Sequence, residues 1–433
     1  MDDIREELRG KRLLLLGGSL WKNALRRFAE KYEVVLLATG NNRSAGIFEL
    51  ASEGFDVDST DAEAMKKLIR EQKIDGVYMG GAEPVIASAC GYLNELGMPA
   101  YCNPRQWDLL QNKIQFKELC RKFDLPVAPR FELDFNADDL GVPAKEFPVI
   151  VKPADGCGGS GFRICKTLDE LKSGYQNAAK LSPSGSVIVE KYVKNTSVVV
   201  YYTFSEGRAH FSAIEDKRPV HFEGKGFIAG THIFQSPRAD EFRALFEEKL
   251  VKMFAELELK EGSLWMEVFC GDGNYYFNEA GLRYSGSASM YPVDYFTGVN
   301  QVAADCYFAL TGKSKLTGFL SLVPEKTVRK KNYCIYLMPL NPGTITKTVG
   351  FDELNEDPNF VAIAYAKGVG AVVPPDGNLS QNFAYLHFVF NDENDFNQIV
   401  EKIWRETAVL DENGVNMTRR MFDSSAIDFA SYR

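Results

Sequence analysis

Lys152 ends the apolar run Val149-Ile150-Val151 and is followed by Pro153 and then Asp155-Gly156-Cys157-Gly158-Gly159-Ser160-Gly161. An ammonium group at the end of a buried strand is costly to desolvate unless an anion pairs with it. The neighbouring glycines let backbone N–H groups close on phosphate oxygens, with positive φ where the turn needs it. A triphosphate suits both features. Lys113 opens the helical stretch Asn112-Lys113-Ile114-Gln115-Phe116-Lys117; taken singly, it reads as a solvated helix residue. Glu267 lies inside the apolar run Leu264-Trp265-Met266-Glu267-Val268-Phe269, and Glu279 closes Tyr275-Tyr276-Phe277-Asn278-Glu279. The turn Gly271-Asp272-Gly273 joins these runs as adjacent antiparallel strands, which can bring both carboxylates to one face. So placed they repel unless a cation lies between them, and Mg²⁺ bridging to phosphate oxygens is the natural partner. Arg283 follows in Glu279-Ala280-Gly281-Leu282-Arg283. A guanidinium there can stabilise charge on a transferred phosphoryl group or a tetrahedral intermediate; the plainer alternative is a structural ion pair with either glutamate.

The glycine-rich segment matches GxGxxG at Gly156, Gly158 and Gly161. A dinucleotide-binding turn must open a helix, whereas Phe162-Arg163-Ile164-Cys165-Lys166 reads as a strand. A Walker A loop is excluded because no Lys-Ser/Thr pair follows the last glycine. A flap between two strands remains, against the alternative of an ordinary glycine-rich hairpin.

The elements that must position these groups fall into three stretches. Residues 1–110 alternate strand and helix patterns, the signature of a doubly wound parallel sheet. Ligands of such sheets sit at the strands' carboxyl ends, here near Gly17, Gly18, Gly80 and Gly81. Residues 111–322 change rhythm to hairpin-spaced strands and a long amphipathic helix, an α+β unit whose flap portion covers about 127–192. Residues 323–433 carry three further strands and a closing helix, a small α+β cap.

The chain has 433 residues, 45% of them hydrophobic, so several packed units are expected rather than disorder. A net charge of −9 argues against nucleic acid as a partner, since binding its backbone needs a basic stripe. No apolar run approaches the roughly 20 residues needed to cross a membrane. The charged start shows no signal peptide, and the eight cysteines are scattered without a CxxC pair; both suit a cytoplasmic protein with reduced thiols. His210, His221 and His232 recur every eleven residues, which fits neither helix nor strand ligand geometry for zinc.

In order and spacing these residues resemble the ATP-grasp superfamily, and the resemblance covers most of the chain. It runs from an α/β pre-domain through Lys113, Lys152, the flap, the hinge strand Val189-Glu190-Lys191-Tyr192-Val193, Glu267 and the Glu279–Arg283 box. The resemblance implies that Glu190 and the backbone of Lys191 and Val193 hold the adenine edge. It assigns Lys113, Lys152 and flap residues Gly158, Gly159, Ser160 and Gly161 to phosphates, Glu267 and Glu279 to Mg²⁺ (or Mn²⁺), and Arg283 to catalysis. Gly281 departs from the usual Glu-x-Asn-x-Arg, whose Asn ligates metal; the pair Asn278-Glu279 looks like the purine-pathway carboxylate ligases, which also lack that Asn. Ser197 stands where many relatives carry a ribose-binding glutamate.

Residues 224–237 resemble a loop of the L-amino-acid ligase branch, with His232 as its histidine, which the resemblance places with Arg283 as a catalytic residue that meets the incoming amine or orients the carboxylate, and Ala229 near its missing acid. The C-terminal segment is similar to that branch and to biotin-carboxylase-like and carbamoyl-phosphate-synthase-like enzymes. The resemblance implies an ADP-forming ligase, using ATP and Mg²⁺, that joins an amino acid or small carboxylic acid to an amine through an acylphosphate. The alternatives are a bicarbonate-dependent carboxylase or carbamoyl-phosphate-synthase-like enzyme, and a non-catalytic ATP-binding protein. Small-molecule substrates are the expected partners, and a homodimer is an admissible assembly.

Overall fold

The computed structural model describes residues 2–154, 161–194, 196–222, 226–271, 273–420, 424 and 427–432. Strands β1 (Arg12–Leu15), β2 (Val35–Thr39), β3 (Glu53–Phe55) and β4 (Gly76–Tyr78) form a parallel sheet in the order β3-β2-β1-β4. Leu13, Leu14 and Leu15 are all buried because helices cover both faces. Helices α1 (Asp2–Leu8), α2 (Lys22–Tyr32), α3 (Ala62–Glu71) and α4 (Glu83–Leu96) supply that cover. At the sheet's carboxyl edge Gly80 adopts φ 74°, and a Cβ there would stand 2.6 Å from the Gly17 Cα. Only glycine lets the two turns approach so closely.

Helix α5 (Pro104–Gln111) starts with a capping box between Asn103 and Gln106. Asn112 ends it and caps α6 (Lys113–Lys122) by accepting from the backbone N–H groups of Ile114 and Gln115. That cap fixes where α6 begins, and hence the face on which Lys113 and Lys117, one turn apart, emerge. Next, β5 (Val149–Pro153), β6 (Arg163–Cys165) and β7 (Val187–Lys191) form an antiparallel sheet, order β6-β5-β7, backed by α7 (Leu168–Leu181).

Strands β8 (Thr196–Ser205), β9 (Arg208–Phe222), β10 (Gly226–Phe234), β11 (Gly262–Gly271) and β12 (Asn274–Gly281) belong to one eight-stranded sheet with β13 (Asn332–Pro339), β16 (Phe360–Tyr365) and β18 (Asn382–Phe390). Its order is β12-β11-β8-β9-β10-β13-β18-β16, so strands of the C-terminal segment extend the central sheet. Helix α8 (Ala239–Glu256) repeats Phe242, Phe246, Leu250 and Phe254 every fourth residue and lays them on one face of it. Each such burial contributes about 1.5–3 kcal/mol. Helices α9 (Met290–Thr297) and α10 (Gln301–Thr311) connect this sheet to the N-terminal one. The remaining C-terminal elements are β14 (Gly343–Thr344), β15 (Lys347–Val349), α11 (Phe351–Glu356), β17 (Val372–Val373), α12 (Glu393–Glu406) and β19 (Ala408–Leu410), the short strands pairing as β14-β17 and β15-β19.

Residues 224–237, read from sequence as a loop, contain a strand. β10 alternates through Thr231-His232-Ile233-Phe234 and pairs with both β9 and β13, and a register shift between Ala229 and Thr231 absorbs the glycine. His232 is therefore a sheet residue.

Candidate active site

β11 and β12 pair with Glu267 directly opposite Glu279, which puts both carboxylates on one face. The next registered pair is Val268 with Phe277, so Asn278 is the extra residue of a β-bulge. A bulge re-aims side chains, and here it turns the Asn278 amide toward the acid pair. Asn278 Nδ2 donates to Glu267 Oε2 at 2.9 Å, while its Oδ1 accepts from Lys152 Nζ at 3.0 Å. Lys217 of β9 donates to Glu267 Oε1 at 2.7 Å. Lys113 Nζ stands 3.3 Å from Glu279 Oε2.

Lys152 also lies 3.2 Å from Glu190 Oε2, and Lys117 bonds the other oxygen of that carboxylate. The result is a network of alternating sign that runs Lys117, Glu190, Lys152, Asn278, Glu267, Lys217, with Lys113 and Glu279 beside it. Four lysines face three glutamates on six elements, α6, β5, β7, β9, β11 and β12.

Burial pushes the Glu190 carboxyl up, but Lys152 and Lys117 outweigh it and hold it below the usual carboxylate range. Burial, then the like charge of Lys152, pulls the Lys117 ammonium down to about 8 in spite of Glu190. Burial raises Glu267, yet the Lys217 ammonium and the Asn278 amide bring its net shift downward. Lys217 is shifted up because Glu267, Glu279 and Glu215 overcome its desolvation. Glu190 and Glu267 are thus ionised at neutral pH.

Of the residues singled out in the sequence, Lys113, Lys152, Glu190, Glu267 and Glu279 converge on this network. Glu190 was expected at the adenine edge. Its carboxylate is 2% exposed and paired with two lysines. The Lys191 N–H, also expected there, donates to the Pro129 carbonyl, and its Nζ to the Glu146 carbonyl. Val193 follows the end of β7. Gly161, at φ 76°, is the flap's last residue and packs near Pro153 and Leu181. Gly158, Gly159 and Ser160 lie outside the described residues.

Arg283 and His232 stand in different surroundings. Arg283 bonds Glu83 at the start of α4, donates to the Tyr284 carbonyl at 2.8 Å and lies 5.4 Å from the Trp265 ring centre. It thereby joins the central sheet to the N-terminal unit. His232 is nearly buried, with Nδ1 2.5 Å from Oε1 of the fully buried Glu215. It packs toward the C-terminal strands, where His387 is buried and held neutral, its pKa lowered to about 3 by burial and by the charge of His232.

Lys117, Lys217, Glu83 and Glu215 were not read from the sequence. Lys117 had a signal in its spacing of four from Lys113, which repeats a cation on one helix face. Glu215 and Lys217 had one in their strand spacing of two, which sends both to the face that carries Glu267.

Could the acid pair hold Mg²⁺? The donor set of two facing carboxylates is hard and oxygen-only, and Mg²⁺ is commonly held by one or two carboxylates plus phosphate oxygens. The fit is good, with Lys217 and Lys113 occupying the same oxygens.

Residues 112–206 match the family model of the carbamoyl-phosphate synthase L chain ATP binding domain. A phosphoribosylamine–glycine ligase of Methanopyrus kandleri is 30% identical over 237 residues, covering 51% of this chain and 52% of that protein. The chain spans about half the length, or less, of the curated relatives it matches. Among solved structures, an L-amino acid ligase from Bacillus licheniformis superimposes with a TM-score of 0.73 at 16% identity, over 94% of this chain and all of that one. The biotin carboxylase domain of the Hydrogenobacter thermophilus 2-oxoglutarate carboxylase, in complex with MgADP, ADP and bicarbonate, gives 0.71 at 17% identity, over 94% and 91%. At such identities the likeness is one of fold. Fold and matched segment together give the class: residues 112–206 match an ATP-grasp ATP-binding domain, and the chain as a whole shares the fold of these ligase and carboxylase neighbours. Among the described residues no helix is long and apolar enough to cross a membrane.

Proposed function

We propose that the protein is an ATP-dependent, ADP-forming carboxylate–amine ligase that joins an amino acid or small carboxylic acid to an amine. The observation that carries this reading is the paired Glu267 and Glu279, bridged through Asn278 to Lys152. A triphosphate with its cation would replace the contacts these groups now make with one another. Lys113 and Lys152 neutralise phosphate oxygens, and Glu267 and Glu279 hold Mg²⁺. That ion supplies Lewis-acid polarisation of the phosphoryl group when bound.

A carboxylate oxygen attacks the γ-phosphorus and the bond to the β-phosphate oxygen breaks, giving an acylphosphate and ADP. The amine nitrogen then attacks the acyl carbon, the C–O bond to phosphate breaks, and the ammonium formed loses its proton. Arg283 stabilises the oxyanion and the departing phosphate. His232, locked to Glu215, acts through the position of its strand rather than as a proton carrier. The flap shields the acylphosphate from water.

A cytoplasmic setting accords with the unpaired cysteines among the described residues. The decisive test is ADP release screened against pairs of amino acids, with bicarbonate alone as a separate arm. Turnover that needs a carboxylate and an amine supports the ligase. Turnover with bicarbonate alone would replace it with a carboxylating enzyme, and ATP binding without turnover with a regulatory protein.

A further inference from the structure

Between the N-terminal sheet and β11 lies a cavity with about 20 Å³ of free room, enough for one or two waters or the head of a small acid. Tyr101, Ser263, Arg283, Asp305 and Phe308 are among its walls. Three polar atoms on those walls, Tyr101 Oη, Ser263 Oγ and Arg283 Nε, are buried without a hydrogen-bond partner. A fourth, Trp265 Nε1, is buried and unpartnered beside Arg283, over which its ring lies. Buried polar atoms are nearly always satisfied, so three on the walls of one cavity call for a ligand. Guanidinium and indole nitrogens can only donate, and the two hydroxyls can donate as well. What satisfies the three on the walls is an acceptor with several lone pairs, as a carboxylate is.

Its position relative to the acid pair follows from strand geometry. Ser263, Trp265 and Glu267 alternate with Leu264, Met266 and Val268, which face the core under α8, and therefore share the other face. Each step of two residues covers about 7 Å. A carboxylate held at Trp265 and Arg283 thus lies about one such step from the acid pair, within reach of a phosphate seated there. Phe308, Pro99 and Ala309 close the cavity with apolar surface and limit length. Asp305, bonded by the Tyr284 hydroxyl, adds an acceptor for an ammonium group.

We propose that this cavity is the carboxylate-substrate pocket, with Tyr101, Ser263 and Trp265 as recognition residues alongside Arg283, and that it takes a two- or three-carbon acid such as glycine, alanine or acetate. The substrate class rests on the ligase reading; occupancy of the cavity does not. Two variants delete one hydroxyl each with no change of fold expected, Tyr101→Phe and Ser263→Ala. In ADP release the KM for the small acid should rise about tenfold or more in each, since a hydrogen bond to a charged group is lost. The KM for ATP should stay within about twofold. An unchanged acid KM in both variants overturns the proposal, and so does a preference for glutamate or phenylalanine over glycine, alanine and acetate. If no acid supports ADP release, the ligase reading falls, and saturation-transfer NMR with glycine and acetate on the full chain then decides the pocket. Binding weakened by Tyr101→Phe upholds it; absent binding, or binding indifferent to both variants, overturns it.

Discussion

Replacing Lys117 by methionine tests the electrostatics of the network most directly. Methionine keeps the length of the side chain and removes its charge. Lys117 is 3% exposed and Glu190 2%, so little solvent screens the pair. Holding the ammonium there lowers its pKa from the ordinary 10.5 to about 8. A shift of that size corresponds to roughly 3 kcal/mol spent on keeping Lys117 charged. Between about pH 8 and 10.5 the folded chain binds fewer protons at this site than the unfolded chain, so stability rises with pH across that window. From pH 8 to pH 9.5 the rise is about 1.5 kcal/mol. Lys117→Met should abolish it. At neutral pH the variant should be no less stable than the native protein, and up to about 3 kcal/mol more so, because the cost of the charged ammonium is gone while Lys152 remains on Glu190 at 3.2 Å. Urea denaturation of both proteins at pH 8 and pH 9.5 measures each term. Glu190 would then draw on Lys152 alone, so ATP affinity should fall in the variant at pH 7.5, and in the native protein only above about pH 8. An equal pH slope in the two proteins would refute the argument.

Burial raises the Asp305 carboxyl to about 7. The folded chain therefore keeps this proton where the unfolded chain has lost it, and stability should fall as pH rises from about 4 to 7; Asp305→Asn should flatten that fall in urea melts at pH 5 and pH 7.5. Glu279→Gln should reduce ADP release about a hundredfold or more while the thermal melt stays near that of the native protein, and full activity would remove the metal assignment. Gly281→Asn, which restores the commoner residue, should destabilise by about 1–3 kcal/mol and not raise turnover, because its Cβ would stand 2.4 Å from Trp265 Nε1.

Much of this was written in local pattern. Lys152, Glu267 and Glu279 betrayed themselves as charges at the ends or in the middle of apolar strands, where only function or pairing keeps them. Lys217 could not be found that way, since Glu215-Asp216-Lys217-Arg218 looks like a solvated charge run until β9 is known to lie two strands from β11. His232 was misplaced because Gly224, Gly226 and Gly230 just ahead of it mask a strand whose partners come from β9 and the distant β13. Glu190 was assigned by resemblance to the purine, whereas its side chain answers to two lysines that only the packing of α6 against β5 and β7 brings together.

The glycine at 281 shows how such a departure can be compensated. The indole of Trp265, its cross-strand neighbour, fills the space that a side chain at 281 would need. A donor thus stands where the usual motif puts an acceptor for metal, which turns that corner of the site toward an anion. The lost amide is not lost to the acid pair, because the bulge three residues earlier turns Asn278 onto Glu267. Residue identities alone could show the missing Asn and the Asn278-Glu279 pair, but the substitution of one amide by the other depends on a register shift of one residue between two strands. The bulge therefore keeps an amide beside the paired carboxylates, its nitrogen on Glu267 and its oxygen on Lys152, while Arg283, just beyond the end of β12, lines the cavity.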